Sequence, residues 1–382
     1  MDADVAWNSV AHNRTVTSRT DTEQVAPRTR PDLASIPAYV PGRSFPGAVK
    51  LASNETTFGP LPGVRDAVVD AIASANRYPD NSAADLIEAL ASFLKVEPSN
   101  IAVGCGSVTL CQELVQVTCD PGDEVVYAWR SFEAYPVLTQ VGHAVSVKVP
   151  LTEDFGHDLD AMLAAITDRT RLIFVCNPNN PTGNALSTAE LDRFLDAVPS
   201  HVVVALDEAY FEYSRGDADG IELLRSRRNV VVLRTFSKAY GLAGVRVGYA
   251  VADPELITAL GKVHTPFTVS AVAQAAAIAS LAAADELLAR TDGVIGERAR
   301  VRAALTEVGY SVPESSANFL YLPLGENSPA FASACAEAGV LIRQYGVEGA
   351  RVTIGDPAEN DLFLAFARSE TARELAGVTA TS

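Results

Sequence analysis

Six short aliphatic runs, each followed by a stretch with helical periodicity, leave few folds open to this chain. They lie at 101–103, 124–127, 145–149, 172–176, 202–206 and 230–233. Each is too short for a helix and is rich in β-branched residues. All but 145–149, which reads Val-Ser-Val-Lys-Val, lack an apolar–polar alternation, so those five are expected to be buried on both faces. Strands buried on both faces and separated by helices belong to a mainly parallel sheet with helices packed on either side. Helical periodicity fits this: 62–76 and 82–94 ahead of the first run, and 107–118 after it, place apolar residues three and four apart.

The rest of the chain frames that core. Residues 1–30 are polar, rich in Thr, Asp and Arg, and read as a mobile tail. Residues 31–57 read as an extended arm carrying one short strand. The large domain is expected over 58–268 and a smaller α+β domain over 269–382. In the latter, the Ala-rich stretch after Ser270 is expected to be helical to about Glu307. Strands are expected near 317–322, 340–342 and 351–353, with a helix from Glu359.

Charge and cysteine usage exclude several classes. A net charge of −17 argues against nucleic-acid binding through bulk electrostatics and against a basic membrane surface. No run of 18 apolar residues or secretory core is evident. The odd count of five cysteines, without a Cys-x-x-Cys, fits buried thiols in a reducing cytoplasm. The five histidines show no ligand spacing, so no metal site is expected.

Lys238 carries the first functional signal. It is one of five lysines, and arginine is five times as common. It stands in Arg234-Thr-Phe-Ser-Lys-Ala-Tyr-Gly-Leu-Ala-Gly-Val-Arg246. An amine can lose its proton and condense with an aldehyde, which a guanidinium cannot. Thr235, Ser237 and Arg246 beside it suit an anion. Together these are the needs of a pyridoxal phosphate site, a reading favoured over the alternative of a solvated lysine in a Gly-containing loop.

Four further segments fit the same chemistry, each with a structural alternative. A strand runs into Gly104-x-Gly106-Ser107 and a helix, offering free N–H groups to a phosphate or merely a tight turn. Cys176-Asn-Pro-Asn-Asn-Pro-Thr-Gly183 ends a strand, fixing the Asn180 amide or just a turn. Asp207, in Leu-Asp-Glu-Ala-Tyr210, ends another strand and needs a partner if buried, unless it only caps a helix. A protonated pyridine nitrogen is such a partner, with Tyr210 close enough to reach the same ring. Arg351 begins a late strand and could grip a carboxylate with two prongs or sit on an edge.

In this order, over about 250 residues, these segments resemble the fold type I, pyridoxal phosphate-dependent aminotransferases of class I/II. The resemblance covers about 31–370 and is nearest the histidinol-phosphate aminotransferase branch. Within it, the actinobacterial aromatic-amino-acid enzymes share Lys50-Leu-Ala-Ser-Asn-Glu-Thr, Arg77-Tyr-Pro-Asp-Asn and Trp129-Arg-Ser-Phe-Glu. The resemblance implies a seven-stranded, mainly parallel sheet sandwiched by helices, and a smaller α+β domain. It makes Lys238 the Schiff-base lysine and pairs Asp207 with the pyridinium nitrogen. Asn180 and Tyr210 would hold the phenolic oxygen, and Phe132 would stack on the ring. Gly106, Ser107, Thr235, Ser237 and Arg246 would surround the phosphate. Tyr78 would be lent by a neighbouring subunit, implying a homodimer. Arg351 would take the substrate carboxylate, with Tyr39, Asn54, Asn318 and Arg343 completing the pocket.

The activity implied by the resemblance is a ping-pong transamination of an aromatic L-amino acid with 2-oxoglutarate. Lys238 would shuttle the proton between the substrate Cα and the cofactor. Histidinol phosphate is the alternative substrate. Val108 stands where that branch usually has an acidic residue, and Tyr240-Gly241 replaces its usual Phe-Ala or Phe-Gly; both point away from it. Arg343 points toward it, lying where the branch meets the substrate phosphate. A different reaction on the same scaffold, and a cofactor-sensing regulator, are weaker readings. The latter would need a basic DNA-binding domain that residues 1–30 cannot supply.

Overall fold

The computed structural model describes residues 27–36, 47–216 and 218–378. The chain divides into two units, residues 1–38 and 39–382. Among the described residues of the first, Pro31–Ser35 forms one 3-10 turn beside an Arg30–Asp32 ion pair. The tail expected over 1–30 falls almost entirely outside the described residues, as does 37–46 of the arm.

Among the described residues of the second unit there are eleven strands. They are β1 (Val49–Leu51), β2 (Ile101–Gly104), β3 (Glu124–Trp129), β4 (Val145–Pro150), β5 (Thr170–Cys176) and β6 (Val203–Asp207). There follow β7 (Val230–Thr235), β8 (Gly248–Ala252), β9 (Phe319–Leu322), β10 (Val340–Tyr345) and β11 (Gly349–Thr353). Seven build one sheet in the order β2-β8-β7-β6-β5-β3-β4, and four build another in the order β1-β10-β11-β9. In the larger sheet β8 alone runs antiparallel to its neighbours. All five residues of β6 and of β8, and all six of β7, are buried, as doubly covered strands require. Apolar cores lie on both faces; Leu110, Leu114, Tyr127, Tyr135 and Phe174 mark one, and Val126, Ile173, Val204, Val232 and Val251 the other. Each fully buried Val, Leu or Phe contributes about 1.5–3 kcal/mol, so the core is ample.

Two features go beyond the sequence reading. β8 is missing from the six sequence runs, because Gly-Tyr-Ala-Val-Ala has weak β-propensity. Its place is decided by close approach: a Cβ on Gly248 would sit 2.5 Å from the Ser107 backbone nitrogen. The Ala-rich region is helical to Glu307 as expected, in two helices. Ala271–Leu281 and Ala284–Glu307 meet at 82°. Nothing in the sequence there opposes a straight helix by propensity. The bend lets Leu281 and Leu287 both reach the core. Helix Ala271–Leu281 packs on Val64–Ile72 and Ala84–Leu94, helices of the region assigned to the large domain. A domain boundary at 268/269 stands as a proposal.

Candidate active site

Parallel strands bring their carboxyl ends to one edge of the sheet, and open α/β sheets bind ligands there. β2 delivers Gly106 and Ser107 to that edge, β3 Phe132, β5 Asn180, β6 Asp207, and β7 Ser237 and Lys238. The antiparallel β8 begins at the same edge, which brings in Arg246. The four-stranded sheet adds Arg343 from β10 and Arg351 from β11. Lys238, Asp207, Tyr210, Asn180, Phe132, Ser107, Thr235, Ser237, Arg246, Asn54, Arg343 and Arg351 all line one cleft of about 650 Å³.

Lys238 lies half-buried at its centre. Its Nζ donates to the Ser53 carbonyl at 3.2 Å and stands 5.9 Å from the centre of the Tyr210 ring. Burial, with the nearby charges of Arg351 and Arg246, pushes its pKa down to about 8, against the opposing pull of Glu55 and Asp207. An amine in that range is ready both to accept and to give up a proton near neutrality.

Asp207 is buried, and burial raises its pKa. One carboxylate oxygen, Oδ2, accepts from the Tyr135 hydroxyl at 2.7 Å. The other, Oδ1, is buried and has no partner. A lone buried carboxylate oxygen is costly unless a donor or cation meets it. A protonated ring nitrogen in the cleft is a fitting donor. Tyr135 was not singled out from the sequence. Its ring stacks on Phe174, with centroids 4.4 Å apart, and meets Phe132 edge-on at 5.4 Å. Two aromatics three residues apart, just beyond a strand end, are the signal that could have found it.

The phosphate end is built from backbone and hydroxyl groups. Helix Ser107–Thr118 starts there, presenting unbonded N–H groups. Gly106 has φ +78°, and a Cβ on it would lie 2.2 Å from an Arg246 nitrogen. The guanidinium thus lies directly over the turn, anchored to Ser237 Oγ (3.1 Å) and to the carbonyls of Ala243 and Cys105. Thr235 and Ser237 exchange hydrogen bonds beneath it. A dianion on the helix start would meet hydroxyls, N–H groups and one fixed cation.

Arg351 faces the cleft from the other side. It donates to Asn180 Oδ1 and to the Tyr345 hydroxyl through Nη1, and to the Ala52 carbonyl through Nη2 at 2.7 Å. Nε has no partner, and Nη2 has used one of its two hydrogens. That edge of the guanidinium is the fork a carboxylate bonds with two prongs. With Asn180 Oδ1 engaged, the amide NH2 is its remaining end for a ligand. The Tyr210 hydroxyl accepts from Asn54 at 2.8 Å, and Asn54 also bonds to Thr353.

The remaining expected residues are placed differently. Asn318 does not line the cleft; it is buried and holds the Asn54 carbonyl at 3.1 Å, so it supports the pocket wall. Arg343 lines the cleft but is bonded twice to Glu133 Oε2, at 2.8 and 3.2 Å. Tyr78 is 82% exposed, stacked on Phe267 at 4.6 Å and away from the cleft of its own chain. Tyr39 falls outside the described residues. Among those residues no group of three or more metal-ligating side chains occurs, and no single helix is long and apolar enough to cross a membrane.

The geometry has known counterparts. The family model for aminotransferase class I and II matches residues 46–366. An aromatic amino acid aminotransferase from Rhodococcus erythropolis (strain PR4 / NBRC 100887) is 85% identical over 91% of this chain and 98% of its own length. One of the same name from Rhodococcus jostii (strain RHA1) is 75% identical over 93% and 99%. Among solved structures, histidinol-phosphate aminotransferase from Sinorhizobium meliloti in complex with pyridoxal-5'-phosphate superposes with a TM-score of 0.84. It is 32% identical, covering 93% of this chain and all of that one. With more than half its length matched by the family model, this chain belongs to the class I and II aminotransferases.

Proposed function

We propose that the chain is a pyridoxal phosphate-dependent aminotransferase that moves the amino group of an aromatic L-amino acid to 2-oxoglutarate, giving an arylpyruvate and glutamate. One observation carries the chemistry. A single cleft holds an amine of pKa about 8, a carboxylate with a bare buried oxygen, and an arginine with a free fork edge. The aromatic preference is supported by the 85% identical relative bearing that name.

When bound, the cofactor supplies an aldehyde that condenses with amines and a ring that withdraws electrons from the substrate Cα. The chain does the rest. Arg351 holds the substrate carboxylate and so fixes which bond at Cα faces the lysine. The Lys238 Nζ would take the Cα proton and deliver it two bonds away, to the carbon that had been the aldehyde. Asp207 keeps a proton on the ring nitrogen, and the Tyr135 hydroxyl keeps Asp207 ionised. Asn180 and Tyr210 would meet the cofactor's phenolic oxygen, Phe132 would cover its ring, and Ser107, Thr235, Ser237 and Arg246 would hold its phosphate.

The chain works, in this reading, as a homodimer. Support comes from the exposed Tyr78–Phe267 stack, which leaves Tyr78 on the surface and outside the cleft of its own chain. A cytoplasmic location belongs to the same proposal and rests on the five unpaired thiols. One observation favours a second substrate: Arg343 lines the cleft where a phosphate could reach it. The test exposes the holoenzyme to L-phenylalanine and to L-histidinol phosphate separately, without keto acid, and tracks the cofactor's absorbance. Fast change with phenylalanine and slow change with histidinol phosphate is expected. The reverse order would reassign the substrate.

A further inference from the structure

Tyr345 and Arg351 are diagonal neighbours on one face of the hairpin formed by β10 and β11. The antiparallel register sets Arg343 opposite Arg351 and Tyr345 opposite Gly349. Alternate residues of a strand share a face, so Tyr345 stands one diagonal step from Arg351, within reach of a long or aromatic side chain. Gly349 has no side chain to come between them. Both residues are buried. The Tyr345 hydroxyl accepts from Arg351 Nη1 at 2.7 Å, and the Asn180 amide oxygen accepts from the same nitrogen. Nη2 donates to the Ala52 carbonyl. These bonds hold the guanidinium plane and leave Nε and one Nη2 hydrogen, on a single edge, for a ligand.

The Asn180, Tyr345 and Ala52 acceptors are all neutral. A carboxylate in place of the hydroxyl would hold Arg351 as firmly but would neutralise its charge. That is the case for Arg130, whose guanidinium is bonded to Glu348 at 2.6 and 2.7 Å. Arg130 lies against the same tyrosine, its guanidinium carbon 5.5 Å from the ring centre, with that of Arg351 at 5.7 Å. Burial raises the Tyr345 pKa against the opposing pull of Arg351, so the hydroxyl is un-ionised at neutral pH. We infer that Tyr345 is a positioning residue: its hydroxyl aims the Arg351 fork and leaves the positive charge for the carboxylate that the amino acid and the 2-oxo acid have in common. The inference rests on the aminotransferase reading for what Arg351 binds.

The test is Tyr345→Phe in the holoenzyme, which keeps the ring and removes only the hydroxyl. The KM values for L-phenylalanine and for 2-oxoglutarate should rise together, by about ten-fold, the effect of losing a hydrogen bond to a charged group. The kcat should stay within about three-fold of wild type. A hydroxyl that only supported the fold would lower the amount of active enzyme and leave both KM values in place. Calorimetric titration with 3-phenylpropionate, which has no amino group and cannot react, should show the same ten-fold weakening. The titration reports the dissociation constant apart from the fraction of competent sites, so a partly folded preparation still answers. In an Arg351→Gln background, Tyr345→Phe should weaken 3-phenylpropionate by less than about two-fold, because no guanidinium is left to aim. Unchanged KM values, a rise for one substrate alone, or an equal loss with and without Arg351 would overturn the inference. Propionate, titrated alongside, separates the two readings. If Tyr345→Phe weakens it as expected while wild type binds 3-phenylpropionate no better than propionate, the positioning role stands and the aromatic assignment fails.

Discussion

The two halves of the cleft are built by different means. The half suited to the cofactor comes from loops at the ends of β2, β5, β6 and β7, where each functional group lies within a few residues of its strand. The substrate half is assembled from pieces far apart in the chain. Arg351 bonds to Asn180 and Ala52, 171 and 299 residues away. Asn54 is held by Thr353 and Asn318, 299 and 264 residues away. The first half therefore inherits its geometry from the sheet, whereas the second depends on how two sheets are tied together by the loop after β1. Damage to the first should abolish chemistry; damage to the second should change what is accepted.

The sharpest test of that contrast is Lys238. Lys238→Ala should remove multiple turnover, a loss of at least about 10²–10⁴-fold, and Lys238→Arg should not restore it. Steady-state assays with phenylalanine and 2-oxoglutarate check this, and appreciable turnover in either variant breaks the comparison. In the other half, Arg351→Ala should lower kcat/KM by roughly 30-fold to a few thousand-fold, corresponding to about 2–5 kcal/mol for a buried charged partner. The loss should lie mainly in KM. A fall in kcat alone would mean that the substrate half does chemistry too.

Tyr135→Phe is expected to have a smaller effect, confined to the cofactor half. Losing the hydroxyl leaves Asp207 with neither oxygen paired to a side chain and raises its pKa further. At about 1–3 kcal/mol, cofactor release should be roughly five- to 150-fold easier, measured by fluorescence titration of the cofactor-free protein. An unchanged dissociation constant would remove Tyr135 from the account.

The smallest effect concerns pH. Lys238 titrates at about 8 in the folded chain and near 10.5 when unfolded. Between those values the unfolded state binds more protons, so stability should rise with pH across that window. Below about 8 the amine is charged in both states and the slope from this group vanishes. Urea unfolding of the cofactor-free wild type and of Lys238→Met at pH 7.5 and 9.5 should show wild type gaining relative to the variant. A flat difference would mean that the cleft does not depress this amine.

Much of this molecule was legible before its structure. Strands β2, β3, β5, β6 and β7 announce themselves as buried aliphatic runs and the sheet-edge strand β4 as an alternating one, and their parallel order fixes which ends share an edge. A motif just past such a strand therefore needs no further information to be placed near its fellows. Ser107, Asn180, Asp207 and Lys238 were found in this way. What failed to show was whatever depends on a partner across space. β8 has weak propensity and is held by pairing and by the close passage of the Ser107 turn over Gly248. Asn318 was expected to meet substrate and instead supports Asn54. Tyr135 and Glu133 carried no local mark; each matters only because the fold brings it to Asp207, 72 residues on, or to Arg343, 210 residues on. The order of short apolar runs and helices, with reactive residues at the strand ends, determined the architecture and the kind of chemistry, since both arise from local periodicity and from sheet topology. Which arginine is free and which is already paired was decided only by tertiary structure, because an ion pair is a property of distance in space and leaves no trace in spacing along the chain.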